Sequence, residues 1–154
     1  MLILVYFSLD NPPFKATLNP SLVCSFECMM DNIKSNNPVK VLDARPTGRF
    51  TGDEPEPRPD LSSGHMPKSF SFPFGKCIDP STKWYKDPEE LKKMFSAANV
   101  DLNKPLITSC GSGVTGSGIM FAAFLCGKTD TKLYDGSWTE FVQRAPDMIL
   151  KGEA

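Results

Sequence analysis

The chain has 154 residues, and 17 Lys+Arg against 18 Asp+Glu leave a formal charge of −1, with a single histidine. That length suits one domain with a sizeable core. The charge balance gives no overall basic field for nucleic acid or an anionic membrane, and one histidine excludes any multi-histidine metal site. At 40% hydrophobic and 23% charged residues, the composition is that of a folded globular protein, not a disordered one.

Met1–Phe7 is apolar but lacks a basic leader and a small-residue cleavage site, so it reads as an edge strand or a disordered start rather than a targeting segment. Asn19-Pro20 predicts a helix start, with Leu22, Phe26, Met29 and Ile33 at helical spacing and Asn36-Asn37-Pro38 ending the run. Val39–Leu42 reads as a short buried strand. Pro46–Pro67 then holds five prolines and three glycines with little periodicity. A loop of that length inside a compact domain is functional or disordered. It carries Arg49 and Arg58, and it follows the C-terminal end of a strand, the edge where open α/β sheets bind ligands.

Asp87-Pro88-Glu89-Glu90 predicts the next helix start, where cap, proline and capping-box acid coincide. Leu91, Met94 and Phe95 form its apolar face. Pro105–Ser109 reads as a strand, Gly111–Cys126 as a loop turning into a buried helix, and Lys132–Tyr134 as another strand. A last helix carries Trp138, Phe141 and Val142. Strands alternating with helices indicate an α/β domain around a mostly parallel sheet with helices on both faces. The longest later apolar run, Ile119–Cys126, is too short for a bilayer, which needs about 20 residues.

The five cysteines, Cys24, Cys28, Cys77, Cys110 and Cys126, are odd in number and follow no secretion signal. The expectation is free thiols in a reducing intracellular setting. No C-x-x-C pair occurs, so no zinc site is expected. The most informative stretch is Ser109-Cys110-Gly111-Ser112-Gly113-Val114-Thr115-Gly116. A strand runs into a cysteine, then small residues, then a helix. Such a loop can form a cradle of backbone donors at a helix N-terminus, favouring a thiolate and holding a persulfide or an oxyanion. The alternative is a Gly-rich turn with a buried, inert cysteine. A cysteine phosphatase would need five residues before a closing arginine; only four separate Cys110 from Thr115, and no arginine closes the loop.

The segment Cys110–Thr115 resembles the active loop of 3-mercaptopyruvate sulfurtransferases, members of the rhodanese family. Val41–Arg45, Gly48-Arg49-Phe50, Glu54–Arg58, Ser63–Pro67 and Tyr134–Trp138 resemble further family landmarks, in family order. The resemblance runs from about Leu18 to Asp147. It implies a rhodanese-like fold and a cofactor-free sulfurtransferase. Cys110 would take sulfur from 3-mercaptopyruvate, or less well thiosulfate, as a persulfide and pass it to a thiol, for instance on a thioredoxin-like protein, or to cyanide. In the thiosulfate-preferring branch basic residues follow the cysteine; here Gly111 and Ser112 stand there, favouring the monoanion 3-mercaptopyruvate. Arg49 and Arg58 would bind its carboxylate, the Ser112 hydroxyl would handle a proton near the sulfur, and Gly111, Gly113, Val114 and Thr115 would form the cradle. No metal, nucleic acid or membrane is implied.

The tandem enzymes of this type resemble two such domains, and this chain resembles the second. Residues 1–16 read as an extension, with Asn11–Thr17 like the interdomain linker; 17–150 read as one rhodanese domain and 151–154 as a tail. A homodimer and a cytoplasmic or mitochondrial setting are expected, with a weakly active carrier or interaction module as the alternative function. Asp43 and Arg45 are expected to hold the long loop, His65 to form a structural turn, Cys126 and Met29, Met30 and Met94 to pack, and Tyr134 and Trp138 to pack beside the site.

Overall fold

The computed structural model describes residues 17–153. Met1–Phe7 and all but the last residue of Asn11–Thr17 lie outside the described residues. The elements are β1 (Val23–Cys24), α1 (Phe26–Lys34), β2 (Lys40–Asp43), α2 (Thr47–Thr51), β3 (Ser69–Ser71), α3 (Pro88–Ala97), β4 (Leu106–Ser109), α4 (Val114–Leu125), β5 (Lys132–Tyr134) and α5 (Ser137–Arg144). Five strands form one all-parallel sheet in the order β1-β5-β4-β2-β3. This is the expected α/β architecture.

Alternation along the central strands divides the core. Leu42 and Leu106 face α3 and α4 with Leu91, Phe95, Ile119 and Ala122. Val41 and Ile107 face α1 and α5 with Met29, Trp138 and Phe141. Leu91, Phe95, Trp138 and Phe141 are fully buried, each contributing about 1.5–3 kcal/mol relative to exposure. Gly116 lets α4 approach the sheet: a Cβ there would stand 3.0 Å from Leu133 Cδ1 and 3.1 Å from the Ser109 backbone.

Three local expectations are corrected. The helix expected from Asn19-Pro20 is a 3-10 turn, Pro20–Leu22, followed by β1; α1 begins only after Ser25, whose hydroxyl accepts the Cys28 amide at 3.2 Å. Pairing of Val23 and Cys24 with Leu133 and Tyr134 wins over helical periodicity. The stretch Pro46–Pro67 is not structureless, since it contains α2 and is tied at Gly64. The five thiols are not all free: Cys24 and Cys28 form a disulfide, while Cys77, Cys110 and Cys126 are free. A strand end followed by the first helical turn brings their Cα atoms to 5.4 Å, within disulfide reach, a closeness that a count of cysteines does not reveal.

Because every strand points the same way, the chain leaves Asp43, Ser109 and Tyr134 at one edge of the sheet. The loops after β2, β4 and β5 meet there.

Candidate active site

Cys110 follows β4 directly and is 2% exposed, at the floor of this edge. The first three residues of α5 shape its loop. Ser137 Oγ accepts the amides of Cys110 and Gly113, each at 3.1 Å, and donates to the Tyr134 carbonyl at 2.8 Å. The Trp138 amide donates to the Cys110 carbonyl at 2.9 Å. The Thr139 amide and hydroxyl both donate to the Gly111 carbonyl, at 3.0 and 2.7 Å. Two loop amides and two loop carbonyls are thereby turned toward α5. The amides of Gly111, Ser112, Val114 and Thr115 have no acceptor among the described residues. They stand at the N-terminus of the 12-residue α4, where aligned peptide dipoles favour negative charge.

Gly113 makes this turn possible. Its φ is +85°, and a Cβ would sit 3.0 Å from the Asp135 carbonyl oxygen. Ser137 also adopts positive φ, +51°, with a side chain. Its three hydrogen bonds and complete burial hold that strained conformation in place.

A cavity of about 470 Å³ opens over the cysteine. Arg49, Cys110, Gly111, Ser112, Val114 and Thr115 line it. The structure thus brings six of the eight expected site residues together around one space. Gly113 is buried beneath the loop. Arg58 does not line the cavity; its Nη1 lies 3.4 Å from Thr139 Oγ1, behind Gly111.

The long loop is anchored by a buried ion network. Arg45 donates through Nε and Nη2 to Asp43 at 2.6–3.0 Å, through Nη1 to Glu56 at 2.8 Å and through Nη2 to the Gly64 carbonyl at 2.7 Å. Its guanidinium lies 4.4 Å over the Trp138 ring. Burial works against the Arg45 charge, but the Asp43 and Glu56 carboxylates outweigh it and hold the group protonated beyond its ordinary range. The other Glu56 oxygen stands 4.0 Å from Arg49 Nη1. Glu56 therefore links the buried arginine to the one facing the cavity.

His65 stays outside the cavity. It is buried, stacks on Phe50 with centroids 4.2 Å apart, and its Nδ1 is 3.0 Å from the Phe50 carbonyl. Cys126 contacts the Pro88 carbonyl through Sγ at 3.6 Å, at the far end of α4. Trp138 donates to the Ser62 carbonyl at 2.9 Å, and burial raises the Tyr134 phenol well above its ordinary range.

Sequence reasoning missed three contributors: Ser137, Thr139 and Glu56. Ser137 lies in the Tyr134–Trp138 landmark, and an Asp-Gly turn opening a helix was the available signal. Glu56 lies in the Glu54–Arg58 landmark, but its contacts to Arg45 and Arg49 are set by the fold; Thr139 carries no local signal.

The model of the rhodanese-like domain matches residues 25–144. The chain belongs to the rhodanese family. Among its relatives, the 3-mercaptopyruvate sulfurtransferase of Mus musculus is 44% identical over 138 residues, covering 89% of this chain and 46% of the relative. The thiosulfate sulfurtransferase of Bos taurus is 46% identical over 134 residues, covering 86% and 44%. The fold also matches the yeast mitochondrial complex I sub-stoichiometric sulfur transferase subunit, with TM-score 0.81, 43% identity and coverage of 97% of this chain and 53% of that one. This rhodanese domain spans about half the length of the curated relatives it matches.

Proposed function

We propose that the protein is a sulfurtransferase working through a Cys110 persulfide, with 3-mercaptopyruvate as preferred donor and thiosulfate as the poorer one. The observation that carries this reading is that Cys110 lines one cavity together with Gly111, Ser112, Val114 and Thr115, whose amides have no acceptor among the described residues. The Cys110 thiolate attacks the donor sulfur, forming an S–S bond as the C–S bond breaks. The departing electron pair stays on carbon as the pyruvate enolate, which takes up a proton to give pyruvate. The outer sulfur, anionic once deprotonated, sits against the amide cradle. A thiol then attacks that sulfur, releasing the Cys110 thiolate and carrying the sulfur away as a new persulfide; cyanide leaves as thiocyanate.

Arg49 on the cavity wall matches a carboxylate, with Arg58 a second partner beyond Gly111. The exposed Ser112 hydroxyl lines the same space and is suited to proton handling at the sulfur. Gly111 and Ser112 add no charge beside the cysteine, which suits a monoanionic donor. The acceptor is a small thiol or a thioredoxin-like protein. The likeness to a mitochondrial yeast subunit supports a mitochondrial setting over a cytoplasmic one.

A second reading is a sulfur carrier with little turnover. Supplying 3-mercaptopyruvate and a thiol, and measuring pyruvate and sulfide, separates the two. Steady turnover lost in Cys110→Ser supports the enzyme. A one-sulfur mass gain without turnover supports the carrier, and equal turnover in Cys110→Ser removes Cys110 from the chemistry. Exposed Val114, Phe121 and Phe124 along α4 support self-association; a monomer by light scattering at high concentration overturns it.

A further inference from the structure

We propose that Thr139 is a positioning residue that holds Arg58 behind Gly111, next to the Cys110 cavity, so that capture of the anionic donor depends on a hydroxyl outside the cavity. The inference rests on the sulfurtransferase reading above.

Three arginines approach this edge of the sheet, and they are held differently. Arg45 and Arg49 share the carboxylate of Glu56. Arg58 is exposed and has no carboxylate within ion-pair distance among the described residues. Its charge is therefore the one of the three not shared with a carboxylate of the described residues. A long, exposed arginine side chain also has much rotamer freedom to lose on binding, which a local tether reduces. The tether present is Thr139: Arg58 Nη1 donates to Oγ1 at 3.4 Å, and Oγ1 donates onward to the Gly111 carbonyl at 2.7 Å. Guanidinium, hydroxyl and carbonyl form a chain running in one direction, in which each bond polarises the next.

The same hydroxyl therefore touches both the donor-binding arginine and the residue beside the reactive cysteine. The two roles can be separated because Gly111 has a second anchor. Its carbonyl also accepts the Thr139 amide at 3.0 Å, and Ser137 holds the amides on either side. Removing the hydroxyl leaves the loop in place and releases Arg58. The effect falls on donor capture, not on the sulfur-transfer step.

Steady-state kinetics with 3-mercaptopyruvate and a thiol acceptor test this, using Thr139→Val, which keeps the shape without the hydroxyl, and Thr139→Ser, which keeps the hydroxyl. Thr139→Val is expected to raise KM about fivefold with kcat within about twofold of the wild type, because the lost contact serves binding. Thr139→Ser restores the wild-type KM. Arg58→Ala raises KM as well, and adding Thr139→Val to it brings no further rise, because the two residues act through one contact. The proposal is overturned by an unchanged KM in Thr139→Val or Arg58→Ala. It is equally overturned if Thr139→Ser is as impaired as Thr139→Val, if kcat falls while KM holds, or if the two effects multiply in the double variant. Persistent turnover in Cys110→Ser would instead remove the persulfide reading, a separate result from these KM comparisons.

Discussion

Ser137 Oγ stands 3.1 Å from the amide nitrogens of both Cys110 and Gly113, reached across 27 and 24 residues of chain. This one hydroxyl takes up the amides of Cys110 and Gly113, while those of Gly111, Ser112, Val114 and Thr115 have no acceptor among the described residues. Ser137→Ala leaves two buried amides without their acceptor, at a cost of about 1–3 kcal/mol each before relaxation. Ser137→Gly removes the same acceptor but relieves the +51° φ. Both variants are expected to lose about tenfold or more in kcat, the scale of a disturbed oxyanion-type cradle, with Ser137→Gly the more stable by thermal melting. Full activity in Ser137→Gly would show that backbone strain, not the hydroxyl, is what matters there.

Most of the layout was legible because it is local. Asp87 caps α3 by accepting the Glu90 amide at 2.9 Å, as the cap-proline-acid pattern requires. Lys132–Tyr134 is a strand with the expected bounds, and Cys110 opens the loop its glycines advertised. The misses share a physical origin in long-range pairing. Val23-Cys24 fits a helical pattern until β5 arrives to pair with it. The proline-rich stretch has no periodicity, yet Arg45 organises it from two residues past β2 through contacts to Glu56 and Gly64. Arg58 belongs to the site edge by motif, but only the structure shows Thr139 between it and the loop.

The Cys24–Cys28 bond gives a direct chemical count. Unfolding the protein without reductant and alkylating is expected to label three cysteines, Cys77, Cys110 and Cys126. Prior reduction is expected to raise the count to all five. Mass spectrometry reads both numbers. Five labels without reductant would show that the pair is a dithiol.

Cys77 sets a pH dependence. Burial, with the Cys126 thiol near it, pushes the Cys77 thiol from 9.0 up to about 11. Between those values the unfolded chain has lost this proton and the folded chain still binds it, so the unfolded state binds fewer protons and stability falls as pH rises. Below pH 9 the contribution is complete; between pH 9 and 11 about 2–3 kcal/mol is lost, at roughly 1.4 kcal/mol per unit. Denaturant melts across this range are expected to show a steeper decline for the wild type than for Cys77→Ala. Parallel slopes would mean that the buried thiol does not govern alkaline stability.

Two glycines two positions apart in the sequence motif, Gly111 and Gly113, predict opposite outcomes. Around Gly111 a Cβ would meet nothing within 4 Å, and the residue lines the cavity. Gly111→Arg therefore fits without moving the loop, with a stability change of about 0.5 kcal/mol or less. It places a second cation beside Cys110, and a dianionic donor gains more from that charge than a monoanionic one. An added gain of about 1.4 kcal/mol for the dianion is a tenfold change in preference. The ratio of turnover with thiosulfate to turnover with 3-mercaptopyruvate is expected to rise by about that factor. Gly113→Ala meets the Asp135 carbonyl at 3.0 Å in a backbone at φ +85°. It is expected to cost about 1–3 kcal/mol and to depress both donors together. A donor ratio unmoved by Gly111→Arg, with the fold intact, would sink the account of donor choice by local charge.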